Sequence, residues 1–335
     1  MTSAAVSAPA ATPAADRRLG AYSELLKPRI AVLVVVTTAL GFALGVRFGD
    51  IAAWTWLGLL GSLAGTAASC MAAAAFNQAL EHRTDGLMRR TAARPLPSGR
   101  LTRGEAWACG GVLALPGQGL LCTCGTPLAS LVAGVTILLY AGVYTPLKRI
   151  TSWSVWIGAV PGALPPVIGF AAATAQPAWA APTGGSLELG LLPQSFGHLT
   201  PVAWLPFLLM FFWQIPHFLA IAYLYRSDYA AAGMPMVPVL DARPGAGGGR
   251  TGRQAVIGTL LLLGVGALPF SLGVAGGAYL LVSSVAGLAF AWTAWRFIKE
   301  PSRATARALF LGSLLYLPVV LGVLVLDLRT GEGLA

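Results

Sequence analysis

Apolar residues run along this chain in long uncharged blocks, and the charged residues gather in the gaps between them. A block of about 18 uncharged apolar residues is long enough to cross a bilayer as a helix. Nine such blocks stand at roughly 30–46, 52–80, 105–124, 128–146, 153–174, 201–225, 254–272, 275–296 and 307–326. The third and fourth are divided only by Gly125-Thr126-Pro127, and the seventh and eighth only by a Gly-rich turn. The pattern predicts an all-α polytopic membrane protein with nine transmembrane helices.

The gaps orient the bundle. With the N-terminus inside, the inner segments hold 20 of the 22 Lys and Arg residues, and only Arg47 and Arg329 fall outside. A helix missed or added mid-chain would destroy that asymmetry, so it supports both the count and the orientation. Composition agrees: 56% of the 335 residues are hydrophobic and 10% are charged. The net charge of +10 is then mostly a topology signal. A nucleic-acid partner is disfavoured, because no soluble basic domain exists to carry one.

Residues 1–20 are rich in Ala, Pro, Ser and Thr and read as a disordered cytoplasmic tail. Residues 21–327 form one membrane-embedded domain, and 328–335 a short outer tail. The first residues lack the basic-then-apolar order of a secretory signal. Arg far outnumbers Lys, and Ala and Gly abound, which points to a bacterial inner membrane. The outer segment 175–200, with His198, reads as a passive connector, and Gly245–Gly249 as a flexible end to an inner loop. Cys70, Cys109, Cys122 and Cys124 lie in predicted helices and read as small packing residues.

The chemistry concentrates where the second block meets water. Asn77, Glu81 and Asp85 are spaced i, i+4 and i+8, so a continuing helix places them on one face, about 6 Å apart along its axis. Oxygen ligands at that spacing suit Mg²⁺, which often reaches a protein through one or two carboxylates plus substrate phosphates. Arg90 and Arg94 follow, Lys148 and Arg149 end the fourth block, and Asp228 opens the inner loop after the sixth. Acids and cations from three loops suggest a pre-organised polyanion site, with Glu81, Asp85 and Asp228 as metal ligands. An allylic diphosphate would ionise there, leaving a carbocation that an apolar, aromatic-lined cavity shields from water. Tyr144, Trp153, Phe212, Trp213 and Tyr223 are candidate lining residues. His217, three residues after Gln214, is a titratable group inside a membrane helix and a functional candidate for that reason. It suits contact with a large planar substrate through iron, or a helix-to-helix hydrogen bond. His82 reads as a supporting neighbour of the acids, and Lys27 and Arg29 as interface anchors.

The stretch Asn77 to Gly99, with Arg90-Thr91 and Arg94-Pro95-Leu96-Pro97-Ser98-Gly99, resembles the first signature of the UbiA prenyltransferase superfamily. Glu24 to Arg29, Trp213 to Phe218 and Asp228 to Met236 resemble the branch whose members farnesylate heme. The resemblance implies nine helices around a central cavity. It implies Mg²⁺-dependent transfer of farnesyl from farnesyl diphosphate to a vinyl group of heme b, with water addition, giving heme O. Heme A synthase and terminal oxidase assembly are the implied partners. Asn77, Glu81 and Asp85 match the first metal–diphosphate motif and Asp228 the start of the second. Arg90, Arg94, Lys148 and Arg149 fall at basic positions. Glu81 stands where the superfamily usually has Asp, and the second motif has one acid instead of two or three. A related enzyme acting on an aromatic acid or quinone precursor is the alternative. A transporter is a weaker one, because no relay of polar groups crosses the bundle.

Overall fold

The computed structural model describes residues 14–49, 56–173, 197, 199–243 and 249–329. Among them, nine helical spans are long and apolar enough to cross a membrane, matching the nine blocks. The start of the chain, the connector with His198, most of the Gly-rich stretch and the last outer residues lie outside the described residues.

The first span is broken. Helix α1 (Ala14–Leu26) and α2 (Pro28–Phe48) meet at Lys27, whose backbone is left-handed (φ 51°, ψ 58°). Pro28 opens α2, where its missing N–H costs nothing. Residues 14–20, expected in the disordered tail, are instead helical. Ala21 and Leu25 explain this by packing against Ala75, Ala79, Leu96, Leu101 and Ala106. An ion pair from Arg18 to Glu105, 2.6 Å, fastens the same helix.

Helix α3 (Trp56–Asp85) is the longest and carries the acidic motif at its end. Helix α4 (Arg103–Leu120) starts at a Thr102–Glu105 capping box and runs into a π turn at Leu121–Gly125. Helix α5 (Pro127–Ile137) runs into a second π turn, Leu138–Tyr144, and the short α6 (Thr145–Leu147). The fifth span breaks at Leu164 into α7 (Ser154–Ala163) and α8 (Pro165–Ala173). Every residue of α8 is buried. Helix α9 (Pro201–Leu224) leads to the short inner helices α10 (Arg226–Ala231) and α11 (Val237–Asp241). Helices α12 (Arg250–Ser271), α13 (Gly277–Lys299) and α14 (Arg303–Leu326) complete the bundle.

The radial pattern is that of a protein in lipid. Large apolar side chains such as Leu115, Leu281 and Leu315 face outward, whereas Ser62, Thr66 and Ser69 are buried. Helices associating in hydrocarbon gain nothing from hiding Leu and approach through small residues instead. The two ends also differ as the charge count requires. The four ion pairs among the described residues all join segments assigned to one side: Arg18–Glu105, Arg100–Glu24, Arg94–Asp85 and Lys148–Glu81. Arg47 and Arg329, the two cations assigned to the other side, meet there, with Arg47 donating to the Arg329 carbonyl at 3.4 Å.

Candidate active site

The acidic motif sits at the last two turns of α3, but not in open water. Asn77, Glu81 and Asp85 are 2%, 4% and 1% exposed. The segment after α3 folds back over them, burying Met88, Leu96 and Leu101, and the Thr91 hydroxyl donates to the Asp85 carbonyl at 2.8 Å. Buried carboxylates need partners, and each has one. Lys148 Nζ lies 2.6 Å from Glu81 Oε1, and Arg94 donates to Asp85 Oδ2 at 2.8 Å. The Asn77 amide donates to Glu81 Oε2 and to the Thr145 hydroxyl, both at 2.9 Å. Asp85 Oδ1 remains, buried and without a hydrogen-bond partner.

Lys148 itself is kept charged. Burial alone would lower its pKa, but Glu81 and the Tyr140 oxygen outweigh burial and push it up. Its ammonium also lies 4.8 Å from the centre of the Tyr144 ring.

Asp228 belongs to the opposite inner loop and is half-buried. The two acidic loops face each other, as expected, and Arg90 joins them. Its backbone N–H reaches Asp228 Oδ2 at 3.4 Å, and its guanidinium donates to the Tyr229 hydroxyl at 2.6 Å. The same guanidinium covers the Tyr225 and Tyr229 rings at 5.0 and 4.6 Å. Arg90 is therefore engaged as a latch between loops. Arg149 is exposed and forms no ion pair among the described residues. Of the four cations expected at the acids, only Arg94 and Lys148 form ion pairs with them among the described residues.

Among the described residues, no group of three or more His, Cys, Asp or Glu stands close enough to hold a metal. Glu81, Asp85 and Asp228 thus do not form a ready-made ligand set. The donors at the end of α3 still fit Mg²⁺: they are all oxygen, two are carboxylates, and one buried oxygen has no partner. A cation held by one or two carboxylates takes its remaining ligands from water and substrate phosphate.

A cavity of about 360 Å³ lies inside the bundle beside this cluster, walled by the first, second, fourth, fifth and sixth spans. Trp213, Gln214, His217 and Tyr144 line it as expected. Phe212, Tyr223 and Trp153 do not. Phe212 packs edge-on against Phe211, and Tyr223 donates to the Pro301 carbonyl at 2.5 Å. Trp153 is 65% exposed. On a helix, positions 210, 213, 214 and 217 share one face, and 212 and 223 turn away from it. Phe218 and Tyr140 take the missing places. Tyr140 escaped the sequence reading because it sits in the π turn, which shifts the register and brings its ring within 5.6 Å of Tyr144. Lys27, expected as an interface anchor, also lines the cavity.

His217 is one of the polar groups that line the cavity. Its Nδ1 lies 2.7 Å from Ser313 Oγ, and that hydroxyl donates to the Phe310 carbonyl at 2.5 Å. A hydroxyl has one hydrogen, so Nδ1–H donates to Ser313 and Nε2 carries the lone pair. No bond to Nε2 occurs among the described residues. Trp213 stacks on the imidazole, ring centres 4.8 Å apart, and donates its own N–H to the Ser313 carbonyl at 2.7 Å.

Residues 34–317 match the model of the UbiA prenyltransferase family. The chain belongs to this family. It is 39% identical over 317 residues to a protoheme IX farnesyltransferase of Opitutus terrae, covering 94% of this chain and 97% of that one. A protoheme IX farnesyltransferase of Solibacter usitatus is 38% identical, with 91% and 98% covered. Two solved structures share the fold at 17% identity. One comes from work on digeranylgeranylglyceryl phosphate synthase in membranes (TM-score 0.70; 92% of this chain, 98% of that one). The other is a UbiA homologue from Archaeoglobus fulgidus bound to GPP and Mg²⁺ (TM-score 0.54; 91% and 99%).

Proposed function

We propose that this UbiA-family chain transfers the farnesyl group of farnesyl diphosphate to a vinyl group of heme b, with addition of water, giving heme O and diphosphate. The observation that carries this reading is one cavity lined by two unlike groups. The first is Lys27, in the field of the buried acids Glu81 and Asp85 and their cations. The second is His217, stacked on Trp213, with Nδ1 engaged by Ser313 and Nε2 free of any hydrogen bond among the described residues. A prenyl diphosphate matches the first, and a planar iron macrocycle the second. Identity to protoheme IX farnesyltransferases over nearly the whole of both chains supports the same substrates.

In this reading the C1–O bond of the donor breaks and its electron pair leaves with diphosphate. The vinyl group forms the new carbon–carbon bond, water adds at the adjacent vinyl carbon, and a proton is lost. Glu81 and Asp85, with Asp228 on the opposite loop, would hold Mg²⁺, which would supply positive charge to neutralise the diphosphate. Arg94 and Lys148 hold those carboxylates in place and add positive potential toward the leaving group. Arg90 keeps the second loop over the site. Tyr140, Tyr144 and Trp213 face the allylic carbon chain, exclude water and stabilise a cation through their ring faces. We place the chain in a bacterial inner membrane with these loops cytoplasmic, where the excess of Lys and Arg puts them. Heme A synthase and terminal oxidase assembly are the expected recipients of the product.

The test is the mass of heme extracted from host membranes expressing this chain. A farnesyl-plus-water increase on heme b is expected. Unmodified heme beside a prenylated hydroxybenzoate would move the acceptor to the aromatic class.

The heme end has its own test. His217→Ala should shift the absorption spectrum of heme b bound to the purified protein, and Ser313→Ala should shift it less, because Ser313 only orients the ring. An unchanged spectrum in His217→Ala would end the iron-ligand assignment.

A further inference from the structure

Lys27 stands out by three independent features. It is the single non-glycine residue with positive φ among the described residues, and lysine rarely adopts that conformation. Strained backbone that persists is over-determined by its surroundings and concentrates at ligand sites. Its side chain also lines the cavity, on a half-buried residue, with no hydrogen bond or ion pair among the described residues. Finally, the charges around it are already matched without it. Glu81 is taken by Lys148 at 2.6 Å and Asp85 by Arg94 at 2.8 Å. These four are the charges that Lys27 feels. Three cations therefore stand against two carboxylates, and the surplus cation is the one facing the cavity. An interface anchor would extend its ammonium into water and make no use of a left-handed backbone.

We propose that Lys27 is a ligand of the donor's diphosphate, with its three Nζ–H groups bonding phosphate oxygens where the cavity meets the acidic cluster. This assignment rests on the reading of the cavity as a prenyl diphosphate site. It gives the break between α1 and α2 a purpose. The left-handed residue turns one lysine out of the helical path and into the cavity, and Pro28 restarts the helix behind it. An unpaired ammonium there is costly without ligand and is matched when a polyanion arrives.

The experiment titrates inorganic pyrophosphate with Mg²⁺ into the purified full-length protein by calorimetry. Lys27→Met should weaken pyrophosphate binding about tenfold or more, the usual effect of losing a hydrogen bond to a charged group. The KM for farnesyl diphosphate should rise by a similar factor. Lys27→Arg should restore most of the affinity. Thermal stability of Lys27→Met should not fall, since no partner is lost. If the methionine variant misfolds, Lys27→Gly, which suits the backbone, replaces it. Wild-type pyrophosphate affinity in a folded Lys27→Met or Lys27→Gly protein would overturn the assignment. A wild-type chain that binds pyrophosphate but never modifies heme would overturn the acceptor instead, and the Lys27 comparison would still decide this proposal.

Discussion

Replacing Asp85 by Asn is expected to lower farnesyl transfer about a hundredfold or more while leaving most of the protein folded. Losing one pre-organised group that stabilises charge in a transition state commonly costs that much. The substitution keeps the shape of the side chain and removes one negative charge from a donor set built of oxygen. One oxygen can still accept from Arg94, so that hydrogen bond survives. The folding cost comes from the pairing lost with Arg94, whose side chain is 29% exposed and can turn part of its charge to water. That holds the cost to about 1–2 kcal/mol. Asp85 is no surface charge, despite its place at a helix end; at 1% exposure it acts as a buried group whose second oxygen waits for a ligand. Glu81→Gln is a poorer probe, because it strands Lys148, which is only 13% exposed. Breaking a buried pair from one side costs about 3–5 kcal/mol, so its lost activity would be confounded with lost protein. The check is product formed per folded molecule, by heme mass, over a Mg²⁺ series. Normal activity of Asp85→Asn at limiting Mg²⁺ would remove the metal from this site.

The sequence exposed the spans and the polar clusters because each has a one-dimensional signature. Nine apolar blocks became nine spans among the described residues, and the cations assigned to each side meet at separate ends. Asn77, Glu81 and Asp85 share one face because a helix connects them, which spacing alone reveals. What stayed hidden depends on tertiary folding. The burial of those acids comes from residues 86–101 doubling back over α3, and no periodicity announces that. Lys27 reads as an anchor beside Arg29 until its left-handed backbone is known. Tyr140 lies off the α-helical register because of a π turn, and Phe212 lies one position from a lining residue yet faces elsewhere. Arg90 falls at a basic position of the family pattern, and only the three-dimensional meeting of two loops shows its tyrosine partners.

The second large effect concerns assembly of the bundle. Gly41 of α2 and Gly169 of α8 let two backbones cross in contact. A Cβ added at Gly41 would stand 1.8 Å from the Pro166 carbonyl oxygen, and one at Gly169 would stand 1.9 Å from the Thr38 carbonyl oxygen. Both obstacles are main chain, so no side chain can rotate out of the way. The helices would have to part by more than an ångström, loosening Phe42, Leu44 and Phe170, which are at most 4% exposed. In water, hydrophobic burial would resist that separation. In lipid, hydrocarbon replaces the lost contacts with little penalty, and close packing is most of what joins the helices. Gly169→Ala should therefore destabilise by about 3 kcal/mol, at the upper end for overpacking, and Gly41→Leu by more. Gly111→Ala is the control: its Cβ would meet nothing within 4 Å, and alanine favours a helix over glycine. Survival of monodisperse protein in detergent after heating should separate the two alanine variants widely. Equal survival would mean that α2 and α8 do not cross at this distance. The defect should reach the chemistry as well. Helix α8 continues from α7, where Gly162 lies so close to Gln214 that a Cβ there would stand 2.2 Å from its Oε1. Displacing α8 moves that wall of the cavity, so Gly169→Ala should lose turnover in step with its loss of stability.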